Sequence, residues 1–174
     1  MHLERHLLLL TQIIDLKIPI IVALNMNDVA TQQHIFCDEK KLSDALQLPC
    51  IKINGRNGEG VEKIKSAIVD IFETKTSQSG TLFYPLSASE KNIVQKTQSF
   101  YNAKNEYHAL LLVHHAKRSN FISTENKSQI AQQIQANAFD SLDAQLNEIM
   151  QRYEAFTPIV RMVLQKSFSN AKTI

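Results

Sequence analysis

The run Ile18-Pro19-Ile20-Ile21-Val22-Ala23-Leu24 ends directly in Asn25-Met26-Asn27-Asp28. A short run that is apolar at both parities and rich in β-branched residues reads as a strand buried on both faces, the mark of a parallel sheet. Parallel strands need crossover helices, so this segment commits the chain to an α/β fold. It also places a site, because open α/β sheets bind ligands just beyond the carboxyl ends of their strands. Asn-x-x-Asp there offers an amide that can donate to a carbonyl oxygen. Its carboxylate can accept from a ring N–H and an amino group. Guanine presents that set on one edge, whereas adenine carries an amino group where guanine has its oxygen. The same four residues also suit an ordinary Asx-capped turn.

A second strand end strengthens the ligand reading. Leu48-Pro49-Cys50-Ile51-Lys52-Ile53 reads as a strand and runs into Asn54-Gly55-Arg56-Asn57-Gly58-Glu59-Gly60. Three of the four glycines fall in that loop, where backbone can approach a ligand closely. Val61, Ile64, Ile68, Ile71 and Phe72 then mark an amphipathic helix over about 59–74. Two adjacent strand ends, each with a polar or Gly-rich loop, would meet over one ligand edge.

These residues resemble the guanine-specificity end of a small GTPase domain. Asn25-Met26-Asn27-Asp28 is similar to the Asn-Lys-x-Asp element in an Asn-Met-x-Asp form. With Leu3 to Gln12, Ile18 to Leu24 and Gly58-Glu59-Gly60-Val61, it resembles the ferrous iron transport protein B (FeoB) family. The similarity is close over 1–74 and looser over 81–168, where Gln151-Arg152-Tyr153 resembles the end of that family's helical domain. The resemblance implies a guanine nucleotide-binding domain, a helical domain and a membrane permease for Fe²⁺. It implies that Asn25 and Asp28 read guanine, with Met26, Asn54, Gly55 and Arg56 beside them. Gly55 would offer its backbone N–H to the base carbonyl, and Asn54-Gly55 stands where the family usually has Ser-Ala.

The phosphate-binding half of such a domain has no counterpart in the text. Glycines 55, 58, 60 and 80 open no Gly-x-x-x-x-Gly-Lys-Ser/Thr pattern, and there is no Asp-x-x-Gly. Phosphoryl transfer rests on those parts. The expectation is therefore weak or no GTP or GDP binding by this stretch alone, Mg²⁺ only in the complete domain, and no catalytic residue. The chain begins where such a domain would be more than half finished, so Met1 reads as an internal start, a truncated gene or a boundary.

The net charge of +2, with Lys and Arg scattered, argues against nucleic acid as a partner. The longest apolar run is far short of the ~20 residues needed to span a bilayer, and no signal peptide is visible. The expectation is a soluble cytoplasmic part of a membrane-anchored parent, with homo-oligomer formation open. Cys37 and Cys50 read as free thiols. The six histidines show no convincing ligand spacing: His114 and His115 are adjacent, His2 and His6 lack a third ligand, and no metal site is expected.

The pattern predicts a helix over about 3–16, a strand over 18–24, a polar connector over 29–37 and a helix over 39–47 capped by Asp38. A strand follows over 50–53. The fold class is thus α/β: a partial parallel-sheet, P-loop GTPase-like half-domain over 1–74, then an all-α bundle over 81–168. Residues 75–80 read as a linker and 169–174 as a tail. In the bundle, Ser87 or Ser89 caps a helix bearing Ile93, Val94 and Phe100, Tyr107 to Val113 marks another, and 119–128 reads as loop. Leu142, Leu146, Ile149, Tyr153, Phe156, Val160 and Val163 form a long seam expected to pack inward, kinked or restarted at Pro158. An alternative reading is a non-enzymatic helical interaction module with a structural α/β remnant, its last seam binding a partner.

Overall fold

The computed structural model describes residues 3–25, 35–74 and 80–166. Met26, Asp28, His2, His34, most of the expected linker and the tail lie outside them. The chain divides into two compact units, Met1–Leu82 with Tyr153–Ile174, and Phe83–Arg152. The architecture is α/β, a small parallel sheet with helices, followed by an all-α part.

In the first unit, α1 (Leu3–Asp15) buries Leu3, Leu7, Thr11 and Ile14, one stripe of a 3.6-residue period. Buried Thr11 returns its hydroxyl hydrogen to Leu8 O at 2.9 Å. The helix stops at Lys17, a left-handed residue at φ 54° whose N–H reaches Ile14 O. β1 (Val22–Leu24) then pairs in parallel with β3 (Cys50–Lys52), Val22 opposite Cys50 and Leu24 opposite Lys52. Between them lie β2 (Ile35–Cys37) and α2 (Glu39–Leu46). Asp38 caps α2 as expected, accepting from Lys41 N at 3.0 Å. α3 (Val61–Thr74) follows the Gly-rich loop.

Three expectations change here. The paired strand starts at Val22, not Ile18, because its partner offers only Pro49 O and the three residues of β3 to bond. The connector expected over 29–37 ends in a strand: β2 pairs antiparallel with β4 (Leu164–Lys166), Ile35 opposite Lys166. Three residues pairing across more than a hundred positions leave no local period. The stretch expected to be all-α over 81–168 therefore ends in a strand, its last helix stopping at Val163.

In the second unit, α4 (Ala88–Thr97) opens with a reciprocal capping box between Ser87 and Glu90. α5 (Glu106–His115) is capped by Asn105 and α6 (Thr124–Ala136) by Ser123. α6 corrects the second half of the loop expected over 119–128: 119–123 is loop, but the polar Thr124-Glu125-Asn126-Lys127 stretch is a capped first turn. Its one fully buried residue, Ile130, gave the sequence little amphipathic signal. Ile93, Leu110 and Ile130 are wholly buried.

α7 (Ser141–Val163) runs unbroken through Pro158, so the expected restart does not occur. The inward seam is only half right. Phe156, Val160 and Val163 are buried, but Leu142 is 67% exposed and Leu146 53%. Over that first half, Glu148 and Arg152 are the buried residues.

Candidate functional site

The parallel register sets the carboxyl ends of β1 and β3 side by side. Ile53 N donates to Leu24 O at 3.0 Å, one step before both chains leave the sheet. Gly55 N then donates to Asn25 Oδ1 at 3.2 Å, joining residues thirty apart in sequence. Of the expected guanine-reading residues, Asn25, Asn54, Gly55 and Arg56 are therefore gathered at one end of the sheet. Met26 and Asp28 lie outside the described residues.

The second loop is held by its own polar groups. Asn54 N donates to Glu59 O and Gly58 N to Asn54 O, both at 2.9 Å. Side-chain oxygens of Asn54 and Asn57 accept from Arg56 N and Glu59 N at 3.0 Å, the Asx-turn pattern. Gly60 sits at φ +80°, and a Cβ there would lie 2.2 Å from Lys52 O, so no other residue fits. Gly55 is different. A Cβ on it would meet Asn25 Nδ2 at 3.5 Å, an ordinary contact, so an alanine would fit. Asn25 is exposed, and its oxygen occupies the Gly55 N–H that a base carbonyl would have to take over.

No group of three His, Cys, Asp or Glu among the described residues could hold a metal ion. Cys37 and Cys50 are free thiols lining a cavity of about 530 Å³ with Asp38, Glu39 and Lys52. Burial, then the neighbouring Cys37 and Glu39, pushes the Cys50 thiol up to about 12, and burial raises Cys37 as well. Both stay protonated and unreactive near neutral pH.

Sequence reasoning missed a buried polar cluster in the second unit. Glu148 Oε1 accepts from Tyr107 OH at 2.6 Å and from Arg152 Nε at 2.8 Å. The Arg152 guanidinium lies 4.9 Å from the Tyr107 ring centre and 5.4 Å from that of Tyr84. Tyr84 in turn donates to Glu90, which also accepts from Ser87 N. Burial first, then the carboxylates, raises both phenols well above their ordinary range. The signal was present in Glu148 and Arg152, an i, i+4 pair beside an apolar stripe, but such pairs are usually solvated.

Hydrogen-bonded turns at the carboxyl end of a parallel pair, with helices behind, define a partial P-loop GTPase-like unit followed by an all-α one. Residues 1–68 match the family model described as Ferrous iron transport protein B, so the FeoB resemblance is carried by that stretch. The Fe(2+) transporter FeoB of Leptospira biflexa serovar Patoc is 40% identical over 68 residues, 39% of this chain and 10% of the relative. That of Escherichia coli K12 is 45% identical over 67 residues, 38% of this chain and 9% of the relative. The chain thus spans about a tenth of the length of these curated relatives. Among solved structures, the cytosolic domain of L. pneumophila FeoB has a TM-score of 0.68 at 24% identity, covering 95% of this chain and 64% of that one. The cytosolic domain of T. maritima FeoB in its GMPPNP form has a TM-score of 0.63 at 18% identity, covering 91% and 62%. A mutant S. thermophilus NFeoB bound to GDP has a TM-score of 0.60 at 22% identity, covering 92% and 64%. At those identities the likeness is one of fold.

Proposed function

We propose that this chain supplies the guanine-recognising end of the GTP-binding domain, with the following helical domain, of a GTP-dependent Fe²⁺ transporter. Residues 1–74 form the C-terminal part of the nucleotide domain, 75–80 the linker and 81–168 the helical domain. One observation carries the reading: the Gly55 N–H to Asn25 hydrogen bond makes a single polar surface of two turns distant in sequence. In this reading Asp28 accepts from the guanine ring N–H and amino group, and Asn25 and the Gly55 N–H serve its oxygen side. Met26, Asn54 and Arg56 flank the base. The phosphates and Mg²⁺ are the task of a segment bearing the missing loop, so nucleotide binding by this chain alone is weak or absent. The membrane permease of the parent is the natural partner, with this part on the cytoplasmic face. No described helix is long and apolar enough to cross a membrane.

The test is calorimetry of GDP against the chain and against the chain joined to a phosphate-binding segment from a FeoB relative. The joined protein should bind GDP and not ADP. Asp28→Asn should move its preference toward the xanthine nucleotide, because the acceptor becomes partly a donor. Equal binding of adenine and guanine nucleotides would overturn the reading.

A further inference from the structure

Two helices of the second unit, α5 and α7, meet at one histidine. His114, in the last turn of α5, brings Nδ1 to 2.5 Å from the hydroxyl of Ser141, the first residue of α7. Its Nε2 is buried and meets no hydrogen-bonding group among the described residues. The ring stacks on Phe139 at 5.9 Å between centroids. Phe139 is buried and belongs to the short turn between α6 and α7. That turn passes through Ala138 at φ 47°, a left-handed backbone that costs a residue with a Cβ. The turn is thus strained, and the histidine ring is part of what holds it down.

Hydrogen-bond capacity decides which form of the ring the site accepts. Gln145 Nε2 donates to Ser141 Oγ at 3.3 Å. A neutral ring with its hydrogen on Nδ1 donates to the second lone pair of that oxygen and leaves Nε2 a bare acceptor. Ser141 is only partly buried, so its own hydroxyl hydrogen can turn to water. The other neutral tautomer and the imidazolium both put an N–H at Nε2, and a buried donor without an acceptor is the costlier defect. The surrounding charges do not supply that acceptor. Glu148 of α7 and Glu90 of α4 favour the cation and His115 opposes it. Yet Glu148 is held on Tyr107 and Arg152, and Glu90 on Tyr84 and Ser87. Asp140 caps α7 through Leu142 N and Asp143 N, Asp143 accepts from Asn147, and Lys96 of α4 donates to Asn137. The last two turns of α6, residues 131–137, carry no charge. We infer that His114 is an acid-sensitive latch: as the Nδ1–H tautomer it docks the 137–141 turn and the start of α7 onto α5, and protonation at Nε2 releases that turn while the helices stay folded. The inference does not rest on guanine recognition.

The full chain, labelled with nitrogen-15, carries its own control. His108 Nδ1 accepts from Lys104 N at 3.1 Å, so neutral His108 has its hydrogen on Nε2. Ring nitrogen spectra at pH 7.5 should therefore show opposite tautomers at His108 and His114. Native-state hydrogen exchange, corrected for the intrinsic pH dependence of exchange, then reads the latch. The Phe139 amide, bonded to Ile134 O at 3.0 Å, should lose about tenfold in protection between pH 7.5 and pH 5.5. That is the ratio set by one proton taken up near the ordinary histidine value in the open form. Leu110, wholly buried in the middle of α5, should keep its protection. His114→Phe keeps a stacked ring without a nitrogen and should abolish the pH response at Phe139. His115→Gln, at an exposed position, should retain it. An Nε2–H tautomer at His114 overturns the inference, and this readout needs no variant to fold. So does protection at Phe139 that ignores pH, a response that survives His114→Phe, or a parallel loss at Leu110, which would make the opening global.

Discussion

α3 and α4 are both helices with apolar residues at helical spacing, yet they end in opposite environments. None of the residues from Val61 to Glu73 in α3 is buried, and Phe72 is 76% exposed. α4 buries Ile93 completely, together with Val94, Thr97 and Glu90. Hydrophobic period tells which face of a helix needs cover. It does not tell whether the covering layer lies within the same stretch of chain. The second unit supplies its own cover from α5 and α6. β1 has one described neighbour where an apolar parallel strand expects two.

The comparison is tested hardest at Arg152. Its guanidinium is wholly buried against Glu148 and two tyrosine rings. Removing one partner of a buried pair strands the other charge, so Arg152→Ala should cost about 3–5 kcal/mol in denaturant unfolding. A loss near zero would mean the second unit does not depend on that cluster. Isoleucines then set the two helices directly against each other. Ile93→Ala in α4 should cost about 2–5 kcal/mol. Ile68→Ala in α3, at a position 43% exposed, should stay within about 0.5 kcal/mol. Similar losses at both positions would show that α3 is covered in solution.

Two further outcomes separate the units by mechanism. Gly60→Ala should destabilise the first unit by at least about 1–3 kcal/mol, through left-handed backbone and the clash with Lys52 O. In the second unit, burial holds His114 below its ordinary value, and His115 adds to the lowering while Glu148 and Glu90 oppose it. The unfolded chain therefore binds that proton more readily than the folded one. Stability present above about pH 6.5 falls as the pH drops through that value toward the lowered folded value. The unfolding midpoint should decline from pH 7 to pH 5, and His114→Gln should flatten the decline; an unchanged slope would remove His114 as its source.

Sequence carried the α/β class, the caps at Asp38 and Ser87 and the meeting of the two turns, because each rests on local chemistry: β-branched runs, Asx and Ser caps, glycine in a tight loop. β2 and β4 were illegible because their pairing is non-local and three residues long. The orientation of α7 was illegible for a different reason. Its apolar stripe outweighs Glu148 and Arg152 in any count, but two tyrosines and a capping glutamate, drawn from α4, α5 and the segment before them, decide the rotation. Arg152 was legible as part of a family-like Gln-Arg-Tyr text, not as a buried cation.

The smallest effect is the most local, and it bears on the first unit's site. Gly55 N–H is held by Asn25 Oδ1 at 3.2 Å in an exposed setting, so the bond contributes only about 0.5–1.5 kcal/mol. Asn25→Ala should leave the unfolding midpoint nearly unchanged yet speed hydrogen exchange at the Gly55 amide by about the matching factor, up to roughly tenfold. Asn25→Asp keeps an acceptor oxygen and should restore protection. The amides of Arg56 and Glu59, bonded to Asn54 and Asn57 within their own loop, should not respond. If they exchange faster together with Gly55, Asn25 supports the whole loop rather than one bond, and the two turns behave as a single cooperative piece. If Gly55 alone responds, the turns are separately built, and the hydrogen bond between them is the one contact a guanine oxygen would have to replace.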